Sequence, residues 1–482
     1  MGLFIKKPLN QLLEQAEDSE KSLKRTLGPT NLVALGIGAI IGAGLFSITG
    51  VAAAANAGPA ITISFIVAAL GCAFAGLCYA EFASMIPVAG SAYTYSYATL
   101  GEFIAWIIGW DLVLEYALGA ATVAISWSRY LVKFLEYYDI HIPHYLAMSS
   151  YDTATLADGS VVSGMINLPA VVIVFIISFI LIKGIQESAF VNAIIVMLKV
   201  TVVLVFIFLG WGYINPDNYI PYVPENTGTF GEFGVSGVIR AAGIVFFAYI
   251  GFDAVSTAAQ ESKNPKKDMP IGILGSLVVC TILYVLFAHV MTGLANYKEF
   301  AGQDGIAPVA VAISHTPYTF LQQAIILAIL AGYTSVILVM LMGQSRVFFS
   351  MSRDGLLPKF FSDVHPKFRT PYKSNLLFMI FVSLFAGFVP ARVVGEMVSI
   401  GTLLAFVLVC AGVWVMRVKM PNQPRAFKTP LVPLVPILGM IICLGMMAFL
   451  PGDTWVRLLV WMAMGIVIYF VYSKNNSHLR NQ

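Results

Sequence analysis

The 482-residue sequence is short of charge. Asp, Glu, Lys and Arg make up 11% of it, against about 25% in soluble globular chains, so a water-exposed surface around a single core is excluded. The formal net charge is only +3, and the cationic residues are scattered between apolar runs, which argues against a nucleic-acid partner. Cysteine is scarce as well: Cys72, Cys78, Cys280, Cys410 and Cys443 all fall inside apolar segments with no CxxC pair. Neither a disulfide framework nor a metal site is expected. The first 25 residues are polar and lack a short apolar core with a small-residue cleavage site, so no signal peptide is expected. Lys6 stands where N-myristoylation wants Ser or Thr. No nucleophile–base pair or metal-ligand cluster appears, and an enzyme is not expected.

What the chain does hold is apolar sequence, 59% of residues with mean hydropathy +0.83. At about 20 apolar residues per crossing, the pattern predicts an all-α polytopic membrane protein with twelve spans. They fall near 31–54, 60–86, 103–133, 167–183, 189–213, 236–258, 270–295, 319–350, 375–390, 393–416, 432–450 and 455–473. With the N-terminus inside, twenty-one of the 28 Lys and Arg lie on the inner side and six on the outer, the bias that sets topology. The remaining one is Lys199. The chain then divides into a cytosolic arm (1–30), a transport core (31–416), two further helices (417–473) and a cytosolic tail (474–482), in the cytoplasmic membrane. Loops such as 139–166 and 214–235 are too short for a catalytic domain. Whatever acts must therefore act in or beside the bilayer.

Lys199 is the one ionisable residue within Ala193–Leu209. A charge at a bilayer centre costs about 3 kcal/mol on insertion scales, which makes it a functional-site hypothesis; the alternative is snorkelling to an interface.

Two other spans look interrupted. The first carries Gly36, Gly38, Gly42 and Gly44 within nine residues, each weakening a helix by about 1 kcal/mol relative to alanine. Gly38 and Gly42 alone have the spacing of close helix packing, but Gly42 and Gly44 around Ala43 point to a break. The sixth span runs Gly251-Phe252-Asp253-Ala254-Val255-Ser256-Thr257, the end of one half-helix and the polar start of another. Breaks in spans 1 and 6 suit inverted repeats of five spans each, about 31–213 and 236–416, with substrate at the midplane between them. The amides at Gly42–Gly44 would meet a carboxylate. The carbonyls near Ile40, Phe247, Ala248 and Ile250 would meet an ammonium, so a zwitterion fits, and Ala39, Ala43 and Ala248 leave room for a modest side chain.

Several motifs now resemble one family: Gly36–Phe46; Tyr79-Ala80-Glu81; Pro87-Val88-Ala89-Gly90-Ser91-Ala92-Tyr93-Thr94-Tyr95; Gly109-Trp110-Asp111-Leu112-Val113-Leu114-Glu115-Tyr116; Phe247–Asp253; Gly343-Gln344-Ser345-Arg346; and Ser352–Pro358. Together they resemble the amino acid-polyamine-organocation superfamily, within it the cationic amino acid transporter branch and its bacterial proton-coupled relatives. The resemblance implies a LeuT-like 5+5 inverted repeat with discontinuous helices 1 and 6, working by alternating access. It assigns the substrate carboxylate to Ala43 and Gly44, the amine to the carbonyls of Ile40, Phe247, Ala248 and Ile250, and gating to the Phe247 ring. Relatives often carry Ser or Thr at the position of Ala43, so here backbone amides must suffice. Lys199 matches a lysine whose ammonium takes the place of a sodium ion, with Thr334, Ser335 and the Gly36 carbonyl as expected partners. The coupling ion is then a proton, sodium is not expected, and no cofactor is implied.

Glu115 and Asp111, four apart, share a helix face, and either a pocket role for Glu115 or a structural one fits. The resemblance implies a gating or proton-linked acid at Asp253, with a cap for the second half of helix 6 as the alternative. His289 reads as packed, Glu81, Arg346, Arg353 and Asp354 as an inner-gate or loop-anchoring set, and Met340–Met342 as an apolar wall. The expected function is proton-coupled import of small neutral L-amino acids such as alanine. Transport of cationic amino acids, exchange, and membrane sensing remain the alternatives. A disulfide-linked light subunit is not expected; lipids surround the bundle, and a small membrane partner is left open.

Overall fold

The computed structural model describes residues 3–8, 27–86, 91–155, 160–184, 189–257, 259, 262–301 and 307–480. Most of the expected arm, at 9–26, and the Pro87–Gly90 part of one motif lie outside the described residues. The chain is overwhelmingly helical, because in a bilayer every backbone N–H and C=O must find its partner within the segment. Among the described residues seven helical stretches are long and apolar enough to cross a membrane. The first, Pro29–Met85, covers the first two expected spans. Shorter apolar helices run over Leu168–Ile182, Gly234–Tyr249, Tyr372–Phe388 and Leu434–Phe449. Proline stands in the first turn at Pro29 and Pro265, where its missing N–H costs nothing.

Both expected breaks are present. The helix Pro29–Ile40 ends at Ile41, whose ψ of 105° is extended, and winding resumes after Gly42 as a π-turn over Gly44–Ile48. The helix Gly234–Val245 tightens into a 3-10 turn over Phe246–Tyr249 and opens at Ile250, ψ 135°. Gly251 follows with φ +115°, a conformation open to glycine but strained for other residues. A Cβ there would also stand 2.8 Å from the Ala39 carbonyl oxygen. The two interrupted helices therefore cross at their breaks.

Elsewhere the structure departs from the sequence reading. The segment Ser91–Thr99, expected to be a connection, is a helix with all nine residues buried. Its Ser, Thr and Tyr content hides it from any apolar period, while Tyr95 stacks on Phe82 at 5.3 Å. A short helix Pro308–Ser314 precedes the span Thr319–Arg353. A two-stranded hairpin pairs Thr153–Thr155 with Val161–Ser163 in the 139–166 loop.

Within the expected set of Glu81, Arg346, Arg353 and Asp354, the two acids belong to different groups. Glu81 receives a two-pronged bond from Arg417, both contacts at 2.9 Å, and lies 3.0 Å from Arg425, anchoring the 417–429 loop. Asp354 pairs with Lys7 at 2.8 Å and accepts the Tyr93 hydroxyl at 2.7 Å, while Arg353 lies over the Phe349 ring. Sequence reading missed Glu102. It is fully buried and accepts from Tyr97, Tyr469, Ser477 and Arg480, and its amide donates to the Ile5 carbonyl at 2.8 Å. Residues 3–7 and 469–480 thus meet at one knot. His289 is packed, stacked on Tyr219 at 4.8 Å.

Candidate functional site

The site is built where the two breaks touch. A Cβ on Gly44 would overlap the Ala248 main chain, so only glycine lets the second half of helix 1 lie against the 3-10 turn of helix 6. The first turn after a break leaves its amides without partners inside the helix, which keeps Ala43 and Gly44 suited to an anion. On the other side, the Tyr284 hydroxyl is 2.9 Å from the carbonyl oxygen of Ile40 and 2.9 Å from that of Ala248. A phenol carries one proton and satisfies one carbonyl at a time. The Phe247 carbonyl accepts from the Ile250 amide at 3.2 Å. Of the four expected carbonyls, Ile40 and Ala248 therefore converge on one donor. Sequence reading missed Tyr284; the available signal was a tyrosine in an apolar span, whose hydroxyl needs a partner when buried.

The walls are apolar and aromatic. Phe247 is buried in the 3-10 turn, and Phe46, one turn past the helix-1 break, packs edge-on against Phe287 at 5.8 Å. The Phe46 carbonyl accepts from the Tyr130 hydroxyl at 2.5 Å, and Ser47 shares a hydrogen bond with Tyr333 at 2.9 Å. Met340 is buried on the Thr319–Arg353 helix, its sulfur 3.6 Å from where a Cβ on Gly119 would sit. One turn earlier Val336, not singled out from sequence, stands 3.4 Å from the Cβ position of Gly42. The wall against the break is thus Val336, with Met340 one turn on.

Lys199 is buried, and its Nζ donates to the Gly38 carbonyl at 2.7 Å. The acceptor lies two residues past the expected Gly36 and two before Ile40. Its stem runs past Gly332, whose Cβ position is 3.0 Å from Lys199 Cε. Thr334 and Ser335, on the same helix as Gly332, donate to their own helix at Leu330 and Gly332. The lysine therefore joins the end of the first half-helix to the Thr319–Arg353 span.

A second polar group gathers acids. Asp253 accepts the Tyr116 hydroxyl at 2.9 Å, and Glu115 lies alongside Asp253 and Thr402. Neither Glu115 oxygen, neither Asp111 oxygen and not Asp253 Oδ1 has a hydrogen bond of normal geometry among the described residues. Buried polar atoms are nearly always paired, so two unpaired carboxyl groups, Asp111 and Glu115, beside the half-paired Asp253 mark a place whose charge state matters. Glu115 is thus brought to Asp253, while the break itself is lined by main chain, Tyr284 and Val336.

The family described as Amino acid permease matches residues 27–471. A branched-chain amino acid permease of Bacillus subtilis (strain 168) is 49% identical over 480 residues, 99% of both chains. A methylthioribose transporter of the same organism is 45% identical over 478 residues, again 99% of both. A vacuolar cationic amino acid transporter of Arabidopsis thaliana is 35% identical over 415 residues, 84% of this chain and 65% of that one.

Proposed function

The chain belongs to the amino acid permease family of the amino acid-polyamine-organocation superfamily, and we propose that it is a proton-coupled importer of neutral aliphatic L-amino acids, from alanine to the branched-chain residues. The observation that carries coupling is the Lys199 ammonium on the Gly38 carbonyl, a tethered cation at the base of a broken helix. Such a charge repels sodium and, by losing and regaining its proton, releases and re-fastens the first half-helix. Glu115 and Asp253 are the acids that relay the proton, since two neighbouring carboxylates in a dry site repel unless one is neutral. Backbone amides at Ala43 and Gly44 take the substrate carboxylate and the Ile40 and Ala248 carbonyls its ammonium. Apolar surface at Val336, Met340 and Phe247 takes the side chain. The identity with a branched-chain permease extends the substrate range above alanine.

The same reading arranges twelve helices as two inverted sets of five plus two, with both termini cytosolic in the cytoplasmic membrane, and needs neither sodium, a cofactor nor an obligatory partner subunit. A panel of the twenty amino acids and methylthioribose, competing against labelled leucine in proteoliposomes with and without an inward proton gradient, tests it. Leucine, valine, isoleucine and alanine should compete and the gradient should drive accumulation. Competition by methylthioribose alone, or uptake indifferent to the gradient and dependent on sodium, would overturn it.

A further inference from the structure

Beyond the break, a cavity of about 410 Å³ opens between the second half of helix 1, the helix Gly119–Glu136, the hairpin loop and the start of the helix Ala391–Lys419. Its size lies within the roughly 300–1,000 Å³ typical of small-molecule sites. Ser47 and Ile48 line it, three and four residues past Gly44, so it lies about one helical turn beyond the proposed carboxylate position. One acid and one base, Asp152 and Arg392, line it together with apolar Ile48, Val51, Phe300 and Pro390.

Arg392 is the replaceable partner of its ion pair. It holds Glu396 through Nε at 2.9 Å with its own side chain 56% exposed. Glu396 is buried and has Thr454 at 2.9 Å and Arg457 at 3.7 Å besides, so Arg392 can turn to another carboxylate without stranding a buried charge. Asp152 accepts the Ser149 hydroxyl through Oδ2 at 2.7 Å, a bond to one of its two carboxyl oxygens. One cationic fork, one carboxylate and an aliphatic wall around one cavity match the chemistry of a zwitterion with an apolar side chain.

We propose that this vestibule is an outer loading subsite for neutral aliphatic amino acids, with Arg392 taking the carboxylate and Asp152 the ammonium before the substrate passes Phe46 to the break. The assignment rests on the transport reading above and deepens it. Leucine uptake into proteoliposomes is measured for Arg392→Gln, Asp152→Asn and Val51→Trp, the last filling the cavity from its wall. Each should raise KM about tenfold with Vmax within twofold, the two charge variants by loss of one hydrogen bond to a charged group and Val51→Trp by occupying the space, and Arg392→Lys should recover most of the Arg392→Gln loss. Asp152→Asn leaves the Glu396 network untouched, so its result stands even where Arg392→Gln unfolds. Unchanged KM in Asp152→Asn and Val51→Trp, a rise in only one of the two charge variants when both fold, or lost Vmax at unchanged KM overturns the subsite. Absence of leucine uptake by the unmodified protein refutes the transport reading itself.

Discussion

Replacing Lys199 by methionine and, separately, by alanine divides its charge from its bulk. The ammonium makes a 2.7 Å bond to the Gly38 carbonyl, and hydrogen bonds to charged groups contribute about 1.5–3 kcal/mol. Methionine keeps a stem against Gly332 and removes a buried cation, whose desolvation costs several kcal/mol, so the two terms nearly offset. Lys199→Met should unfold within about 1 kcal/mol of the unmodified protein. Alanine also empties the space beside Gly332, and truncations of this size cost about 2–5 kcal/mol; its thermal unfolding in detergent should fall clearly below that of methionine. In proteoliposomes both variants should lose leucine accumulation driven by an imposed proton gradient. Lys199→Met should retain counterflow, because exchange needs the helices to move with substrate but needs no net proton release. If Lys199→Met still accumulates leucine against a gradient, or loses counterflow as fully as accumulation, the coupling role is wrong.

Gly44→Val places a side chain where the Ala248 main chain lies; uptake should drop at least a hundredfold while surface expression persists, and normal uptake would show that the breaks separate widely in transport. Tyr284→Phe removes the hydroxyl shared by the Ile40 and Ala248 carbonyls; at about 1 kcal/mol for such a bond, leucine KM should change roughly fivefold, and an unchanged KM removes Tyr284 from the site. Glu102→Gln leaves Arg480 beside a neutral group in a buried knot; breaking a buried pair costs about 3–5 kcal/mol, so the melting temperature should fall, while counterflow per folded molecule is retained.

The features read from sequence share a physical cause: each breaks a local rule. Four glycines in one apolar span, an acid two residues after Gly251, and a lysine among apolar neighbours are visible because a continuous membrane helix disfavours all three. What stayed hidden depends on contacts between distant parts of the chain. Tyr284 reaches a carbonyl 244 residues away, and nothing near it in sequence distinguishes it from other buried aromatics. Val336 faces Gly42 because of how two helices cross, whereas Met340 drew notice only by its residue type. The Ser91–Thr99 helix has no apolar stripe because it is buried on every side, and the period that reveals surface helices does not exist there. Glu115 illustrates the reverse case. Its burial was legible, but its partner Asp253 could be assigned only once helices 3 and 6 were placed together.

The Glu102 knot bears on how the protein is made. Arg480 follows Glu102 by 378 residues, and at about 5–20 residues per second the ribosome needs roughly 20–75 s to cover that stretch. During this interval the carboxylate, together with the Lys7–Asp354 pair once Asp354 emerges, must stay wet at the membrane edge or be shielded by lipid headgroups. The bundle can then dock its spans in order of synthesis, but its sealing is a late event that waits for the last helix. Truncations or fusions near residues 469–480 should therefore show up first as poor yield and turnover during biogenesis, with molecules that do mature transporting at a normal rate.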